Sequence, residues 1–461
     1  MRAVLSNMGF VMQIAGIFIV IPIIFSFILQ ETNASLALFI TSLAFLILGF
    51  MLNALCERKE LSFKGSCALI VLVFVLLSLI GAFPYLYLHI FRGSFWSIFS
   101  NSFFEAASGY TTTGFSVIPN LDLIPKSILL YRALTQFIGG IGIVLVLLVF
   151  FFPEDKLKNF SKSMGFSENN KIKKTFLIIL LTYCFYTVIL GALMFFFGQK
   201  DIVNSLSFIF SALSTGGFSP VNDMAAFTRL MPSGYILIAA MLIGASNFIV
   251  LARLVKFRIK EFFMSEIPVF IFISILSIYF VRTVFQLPLF DSVFHTISTM
   301  STTGFSYINM PALHDNLKIF FAALMFVGGA SFSTSGGIKI YRFMLIFKAL
   351  GNTIRTSITG KETKSYLFGR EYSNSDIVNA LVMIVIAFLL VFGSAYVFFY
   401  HGFNFVDSVF EVTSALSTSG LSVGIVNASL ALNLKWMIVA LMILGRVEIL
   451  AFFIMLSPIK K

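Results

Sequence analysis

Four stretches of small hydroxyl residues and glycine stand out in this chain: TTTGFS (111–116), STGGFS (214–219), STTGFS (301–306) and STSGLS (417–422). They contain no acid, base or thiol. Their chemistry is that of oxygen: main-chain carbonyls and Ser/Thr hydroxyls. Rings of such oxygens can replace the water shell of a dehydrated cation. Glycine suits a ring of this kind because it reaches backbone conformations that turn carbonyls toward a common axis. The candidate ion ligands are Thr111, Thr112, Thr113 and Gly114; Ser214, Thr215, Gly216 and Gly217; Ser301, Thr302, Thr303 and Gly304; and Ser417, Thr418, Ser419 and Gly420.

Aligning Gly114, Gly217, Gly304 and Gly420 brings sixteen residues into gapless register: 101–116, 204–219, 291–306 and 407–422. Each copy begins with Asn or Asp followed by Ser, has Ser six residues before its Gly (Ser108, Ser211, Ser298, Ser414), and has Thr two before it. Asn101, Asn204, Asp291 and Asp407 are expected helix N-caps. The apolar run after each is too short to cross a bilayer. A short helix followed by extended chain between two full spans reads as a re-entrant loop, which membranes tolerate only where protein or water covers the backbone. Small-residue helix packing is the competing explanation, but it does not account for a fixed fourfold register. Glu105 and Glu411, nine residues before their glycines, are either charges at an outer funnel or buried hydrogen-bond partners behind the loops. His295 holds the same position and is expected to pack there.

The rest of the chain must position these loops. It is 59% hydrophobic and 11% charged, with mean hydropathy +0.98, too apolar for a soluble fold. The expected class is an all-α polytopic membrane protein. Spans are expected near 9–30, 36–55, 67–88, 128–152, 174–197, 231–252, 266–285, 319–347, 377–400 and 435–457. They divide into an N-terminal two-helix pair (1–60) and four span–loop–span repeats (67–152, 174–252, 266–347, 377–457) around a pseudo-fourfold pore. With the N-terminus inside, 21 basic residues fall in inner segments and eight in outer ones. That bias places both termini in the cytoplasm and all four loops outside. All four repeats enter from one side, unlike the inverted repeats of many secondary transporters. The net charge of +12 is explained by the same topology and does not call for a nucleic-acid partner.

Residues 328–337, GGASFSTSGG, should break the helix in the middle of a span. Gly328, Gly329, Ser333, Thr334, Ser335, Gly336 and Gly337 are read as a mobile flap across the pore, with a static kink as the alternative. Arg446 lies within the last span, where a charge is costly. It is an electrostatic barrier in the pore, or it pairs with Glu448 or a carbonyl, or it reaches toward the inner face. Lys339 joins the gate candidates; for it and Arg342, nearer the inner end, a salt bridge or snorkelling is an equal reading.

With these features in place, the chain resembles the Trk/Ktr/HKT superfamily of potassium transport proteins over about 67–461. "YRALTQFIGGIGI" (131–143), "GGASFSTSGGIKIYR" (328–342) and "GRVEIL" (445–450) are similar to its stretches beside the four loops. The two extra N-terminal spans resemble the Trk branch more than the shorter Ktr branch. The resemblance implies a potassium-uptake subunit of the bacterial cytoplasmic membrane, homodimeric, with one pore per protomer. It also implies a cytosolic ring of nucleotide-binding regulators (RCK-type, TrkA-like), so that nucleotide binds the partner and this chain needs no cofactor beyond K+ as its transported ion. In plant relatives a Ser at the first loop's Gly position accompanies sodium transport; Gly114 therefore favours potassium. Leu421 departs from the Phe of the other loops (Phe115, Phe218, Phe305) and is expected to pack behind the filter with little effect on ion choice.

Other features point away from catalysis. Cys56, Cys67 and Cys184 have no metal or disulfide spacing. His89, His295, His314 and His401 are scattered. GGIGIV (139–144) lacks the spacing and strand context of a dinucleotide fingerprint. The basic loops 153–175 and 348–370 are expected to meet the regulator or anionic lipid. Remaining alternatives are a sodium-permeable or sodium- or proton-coupled transporter of the same superfamily, a carrier of organic solutes, and a membrane receptor or enzyme.

Overall fold

In a bilayer every backbone amide must be paired within the protein, so the long apolar runs fold as helices. The structure is a computed structural model and describes residues 2–56, 63–140, 172–198, 200–229, 232–360, 366–368 and 370–456. Among the described residues, six helices are long and apolar enough to cross a membrane: Ala3–Ile28, Thr32–Leu55, Lys64–Tyr87, Ile178–Phe197, Ile267–Val284 and Asn374–Tyr400. Apart from a two-residue antiparallel pairing of Tyr366–Leu367 with Arg370–Glu371, the described secondary structure is helical.

Six of the ten expected spans, 9–30, 36–55, 67–88, 174–197, 266–285 and 377–400, match these helices. The other four, each the second span of a repeat, differ. Ser233–Gly244 and Phe248–Val255 form one expected span but meet at 111°. Asn247 causes the turn by accepting from Ile249 N and Val250 N, which caps a new helix. In the third repeat Asp315–Val327 is separated from Ile340–Thr359 by the glycine-rich segment. In the fourth, Leu432–Val447 and Ile449–Leu456 are split at Glu448, whose φ is 70°. In the first, Lys126–Gly140 is helical; its continuation, 141–152, and most of the basic loop 153–175 lie outside the described residues.

Four short helices lead into the motif loops: Phe95–Tyr110, Ile202–Leu213, Leu289–Met300 and Phe405–Leu416. All four start earlier than expected. Their N-caps are Ser94, Asp201, Pro288 and Asn404, not Asn101, Asn204, Asp291 and Asp407. The upstream Ser94, Asp201 and Asn404 side chains accept backbone N–H bonds, so the motif's first residue falls inside the helix. These helices form the centre of the molecule: in the first, every residue from Ser100 to Tyr110 is buried.

The N-terminal pair packs by close backbone approach, as small residues allow in membranes. A Cβ on Gly9 would lie 2.6 Å from Gly49 O, and one on Gly49 would lie 2.7 Å from Gly9 O. Glu31, between the two helices, accepts from Lys126 N (2.8 Å) and Ser127 N (3.0 Å). The pair thereby caps the second helix of the first repeat.

Candidate ion filter and flap

Each short helix ends the same way. Thr112, Thr215, Thr302 and Thr418 have φ between 49° and 54°, and Gly114, Gly217, Gly304 and Gly420 have φ between 76° and 89°. In the first loop Thr112 N donates to Gly109 O and Thr113 N to Ser108 O, both at 2.9 Å. This is a Schellman ending with its left-handed residue at Thr112. Gly216 N, Thr303 N and Ser419 N make the equivalent bonds to Ser211 O, Ser298 O and Ser414 O. A β-branched residue at positive φ is a genuine outlier; four in register are a backbone strain held at one place, as functional sites hold it. The sequence pointed to glycine for this freedom; half of it is carried by threonine.

The loops close on one another in a cycle. A Cβ on Gly114 would lie 1.9 Å from Gly216 O; on Gly217, 2.1 Å from Thr303 O; on Gly304, 1.7 Å from Ser419 O; on Gly420, 2.0 Å from Thr113 O. Each glycine thus leaves room for the carbonyl just before the next repeat's glycine, in the order first, second, third, fourth, first. Positive φ and this lack of space both exclude any other residue. All sixteen candidate ligands lie in these four segments, and the cycle brings the segments together.

The supports behind the loops are unequal. Glu105 accepts from Ser116 Oγ (3.0 Å), Val117 N (3.0 Å) and Arg132 Nη2 (2.7 Å), with Arg132 and Glu105 both buried. Glu411 accepts from Ser422 Oγ, Val423 N and Val426 N at 2.6–2.9 Å. His295 bonds Asp291 O and Tyr307 N. These residues face backbone behind the loops, as the hydrogen-bond reading holds. The fourth equivalent is Phe208, stacked on Phe227 at 3.9 Å. Phe115, Phe218, Phe305 and Leu421 are all buried.

Gln136 was missed by sequence reasoning, although a polar residue one turn beyond Arg132 in an apolar helix is a signal in itself. Its Nε2 donates to Gly216 O (2.6 Å) and its Oε1 accepts from Phe218 N (3.1 Å). A Cβ on Gly216 would meet the Gln136 carboxamide at 2.4 Å. The second loop therefore reads GGF where the first and third read TGF: the glutamine occupies the side chain's place. In the first and third loops that side chain is a hydroxyl paired with its own loop, Thr113 with Thr111 and Thr303 with Ser301.

Residues 328–337 lie against the start of these loops. Thr334 Oγ1 is 2.9 Å from both Leu213 O and Gly244 O, and Thr334 N donates to Gly244 O. Gly336 N donates to Thr302 Oγ1 (2.6 Å), and a Cβ on Gly336 would lie 1.9 Å from Ser417 O. Gly329 N donates to Ser335 Oγ, which also bonds Ser333 Oγ; Gly328 and Gly337 pack on each other's backbone. The segment thus touches the second, third and fourth loops. Arg446 adds the first repeat: Nη1 donates to Thr334 O (2.7 Å) and Nη2 to Gly139 O (2.6 Å). Of the readings open for Arg446, the structure gives carbonyl partners, while Glu448 pairs with Arg342 at 2.6 Å. Lys339 Nζ donates to Ser335 O, inside the same segment. Glu266 was also missed. It anchors the segment from outside it, accepting from Ser331 N (2.9 Å) and Ser331 Oγ (3.3 Å).

The glycine contacts of the third repeat differ from those of the other three. Gly139, Gly244 and Gly445 each sit where a Cβ would strike the carbonyl at the C-terminus of their repeat's short helix: Tyr110 O at 2.0 Å, Leu213 O at 2.5 Å and Leu416 O at 1.9 Å. The third repeat's glycines, Gly328 and Gly329, instead pack on Gly336 and Ser335 of the same segment and on Ala245 O.

A family profile described as "TrkH: Cation transport protein" matches residues 34–286 and 286–460. An uncharacterized cation transporter of Methanocaldococcus jannaschii is 30% identical over 472 residues, covering 99% of this chain and 96% of that protein. The Trk system potassium uptake protein TrkH of Escherichia coli K12 is 25% identical over 425 residues, 87% of each chain. The Ktr system potassium uptake protein D of Bacillus subtilis is 28% identical, covering 79% of this chain and 87% of its own. The crystal structure of the potassium transporter TrkH from Vibrio parahaemolyticus superposes with a TM-score of 0.86 over 99% of this chain and 98% of that one, at 22% identity. That likeness carries the fold. Transport, not catalysis, is the work of the family, and this chain belongs to the TrkH family of cation transport proteins.

Proposed function

We propose that this protein takes up potassium across the cytoplasmic membrane, with the ring of loops as its selectivity filter. The observation that carries the reading is the closed cycle in which each motif glycine admits the carbonyl of the next repeat. Such a cycle gathers main-chain oxygens around one axis, and rings of carbonyls are what a dehydrated potassium ion needs. The names of the Escherichia coli and Bacillus subtilis relatives, both potassium uptake proteins, favour potassium over sodium.

In this reading the loops open outward and both termini are cytoplasmic. Ions shed water at the filter and are drawn inward by a membrane potential worth about 2.3 kcal/mol per charge per 100 mV. Residues 328–337 are the gate, held closed by Thr334, Gly336, Glu266 and Arg446. Arg446 both latches the flap and places a cation in the path. The working unit is a homodimer, and a cytosolic ring of nucleotide-binding subunits moves the gate from the inner face.

The test is flux of potassium, rubidium, sodium and lithium into liposomes holding the purified protein. Potassium and rubidium should pass and sodium and lithium should lag. Equal sodium and potassium flux defeats the proposal in favour of a sodium-permeable transporter.

A further inference from the structure

A second cycle of contacts surrounds the N-terminal halves of the short helices, away from the filter. Each repeat sends a cation from the chain after its loop to the N-terminal half of the next repeat's short helix. Lys126 Nζ is 2.9 Å from Asp201 Oδ2, Arg229 Nη2 is 3.6 Å from Asp291 Oδ2, and Lys318 Nζ is 2.7 Å from Asp407 Oδ1. Lys435 Nζ closes the cycle by donating to Asn101 Oδ1 and, at 3.0 Å, to Ala428 O. The direction is the same as in the carbonyl cycle. The four cations stand twelve to fifteen residues after their motif glycines.

The junctions are not equivalent. Lys126 and Arg229 are more than half exposed, and exposed pairs contribute little. Lys318 is only 6% exposed; it also lies 3.6 Å from the exposed Asp315, and its 2.7 Å pair with Asp407 is the most desolvated of the three ion pairs. The fourth junction differs in kind. Lys435 is 2% exposed, yet among the described residues its partners are an amide and a carbonyl, with no carboxylate within ion-pair distance. A buried ammonium with neutral partners keeps much of its desolvation cost. Aromatic contact covers this seam: Trp436 lies 5.1 Å from Phe103 and 6.5 Å from Phe99.

We propose that the four contacts are positioning clamps that set the spacing of the filter quarters and so the preference among cations, and that Lys435–Asn101 is the compliant clamp. The inference rests on the filter reading above. Its mechanics are those of a rigid rod. Each short helix carries the clamp in its N-terminal half and leads into the filter backbone at its C-terminal end. Moving one end displaces the carbonyls at the other, and discrimination depends on the size of the carbonyl ring and the number of oxygens in it.

The experiment compares potassium and sodium flux in liposomes for the full-length protein and three variants. Lys318→Met leaves Asp407 without its buried partner and should lower the potassium-to-sodium ratio about tenfold, the equivalent of about 1.4 kcal/mol. The swap Lys318→Asp with Asp407→Lys should recover part of that ratio, which a purely steric role for Lys318 would not produce. Asn101→Asp gives Lys435 a carboxylate and should raise the ratio. A folded Lys318→Met with the unaltered ratio, or a swap no better than the single variant, overturns the clamps. If Lys318→Met does not fold, Asn101→Asp decides alone, and an unchanged ratio overturns the proposal. Unaltered protein that fails to discriminate defeats the filter reading itself, and the clamps fall with it.

Discussion

Replacing Gln136 with leucine removes two hydrogen bonds and almost no volume. Gly216 O loses its 2.6 Å donor and Phe218 N loses its 3.1 Å acceptor. Both groups are in the protein interior, and a buried group left unpaired costs about 1–3 kcal/mol. The two together come to about 2–6 kcal/mol by the same measure. The loop can avoid that penalty only by turning toward other partners. Gly216 O is also the oxygen for which Gly114 leaves room, so the relaxation moves the contact between the first and second quarters. If about 1.4 kcal/mol of it falls differently on potassium and sodium, their flux ratio changes tenfold. The assay is liposome flux of the two ions, with folding checked by gel filtration. Gly393→Ala is the control, because a Cβ there meets nothing within 4 Å. A folded Gln136→Leu protein with the normal ratio would refute the claim that this side chain holds the second quarter in place.

Three further outcomes are expected. Thr334→Val removes the hydroxyl shared by Leu213 O and Gly244 O; at about 1 kcal/mol for such a bond, flux should rise roughly fivefold, and unchanged flux would show that Thr334 does not hold the flap. Glu105→Gln leaves the buried Arg132 guanidinium without its charge partner, a loss of about 3–5 kcal/mol that should appear as reduced folded yield in detergent and be eased by adding Arg132→Met. Gly445→Ala pushes a methyl group to 1.9 Å from Leu416 O; overpacking of this kind costs about 1–3 kcal/mol and should lower the melting temperature, whereas Gly393→Ala should not.

What could be read from the chain was whatever repeats or sustains a period. Six spans follow from apolar length, and the fourfold register follows from serine, threonine and glycine at fixed offsets. Breaks were less legible. GGASFSTSGG announces itself by composition, but the turn at Asn247 rests on one cap and on bonds from Ala330 and Thr334, far along the chain, to Ala245 O and Gly244 O just before it. The split at Glu448 likewise accompanies its pairing with Arg342. Helix starts were misplaced because Asn101 and Asp407 are good caps in isolation, and nothing local says that Ser94 and Asn404 cap first. Gln136 and Glu266 escaped notice because their roles exist only against backbone from another repeat.

If residues 328–337 are the gate proposed above, they lie across the axis of the loop ring. An object lying across a fourfold axis has room for a single copy. Four identical chains assembled around that axis would each bring their own segment 328–337, and the four would collide. Writing the four quarters into one polypeptide removes that constraint. One quarter can then give up the glycine contact that Gly139, Gly244 and Gly445 keep and send its backbone across the centre, while the other three hold the ring. In the proposed potassium filter, near-symmetry would serve the ion, and the departure from it would make a single barrier possible.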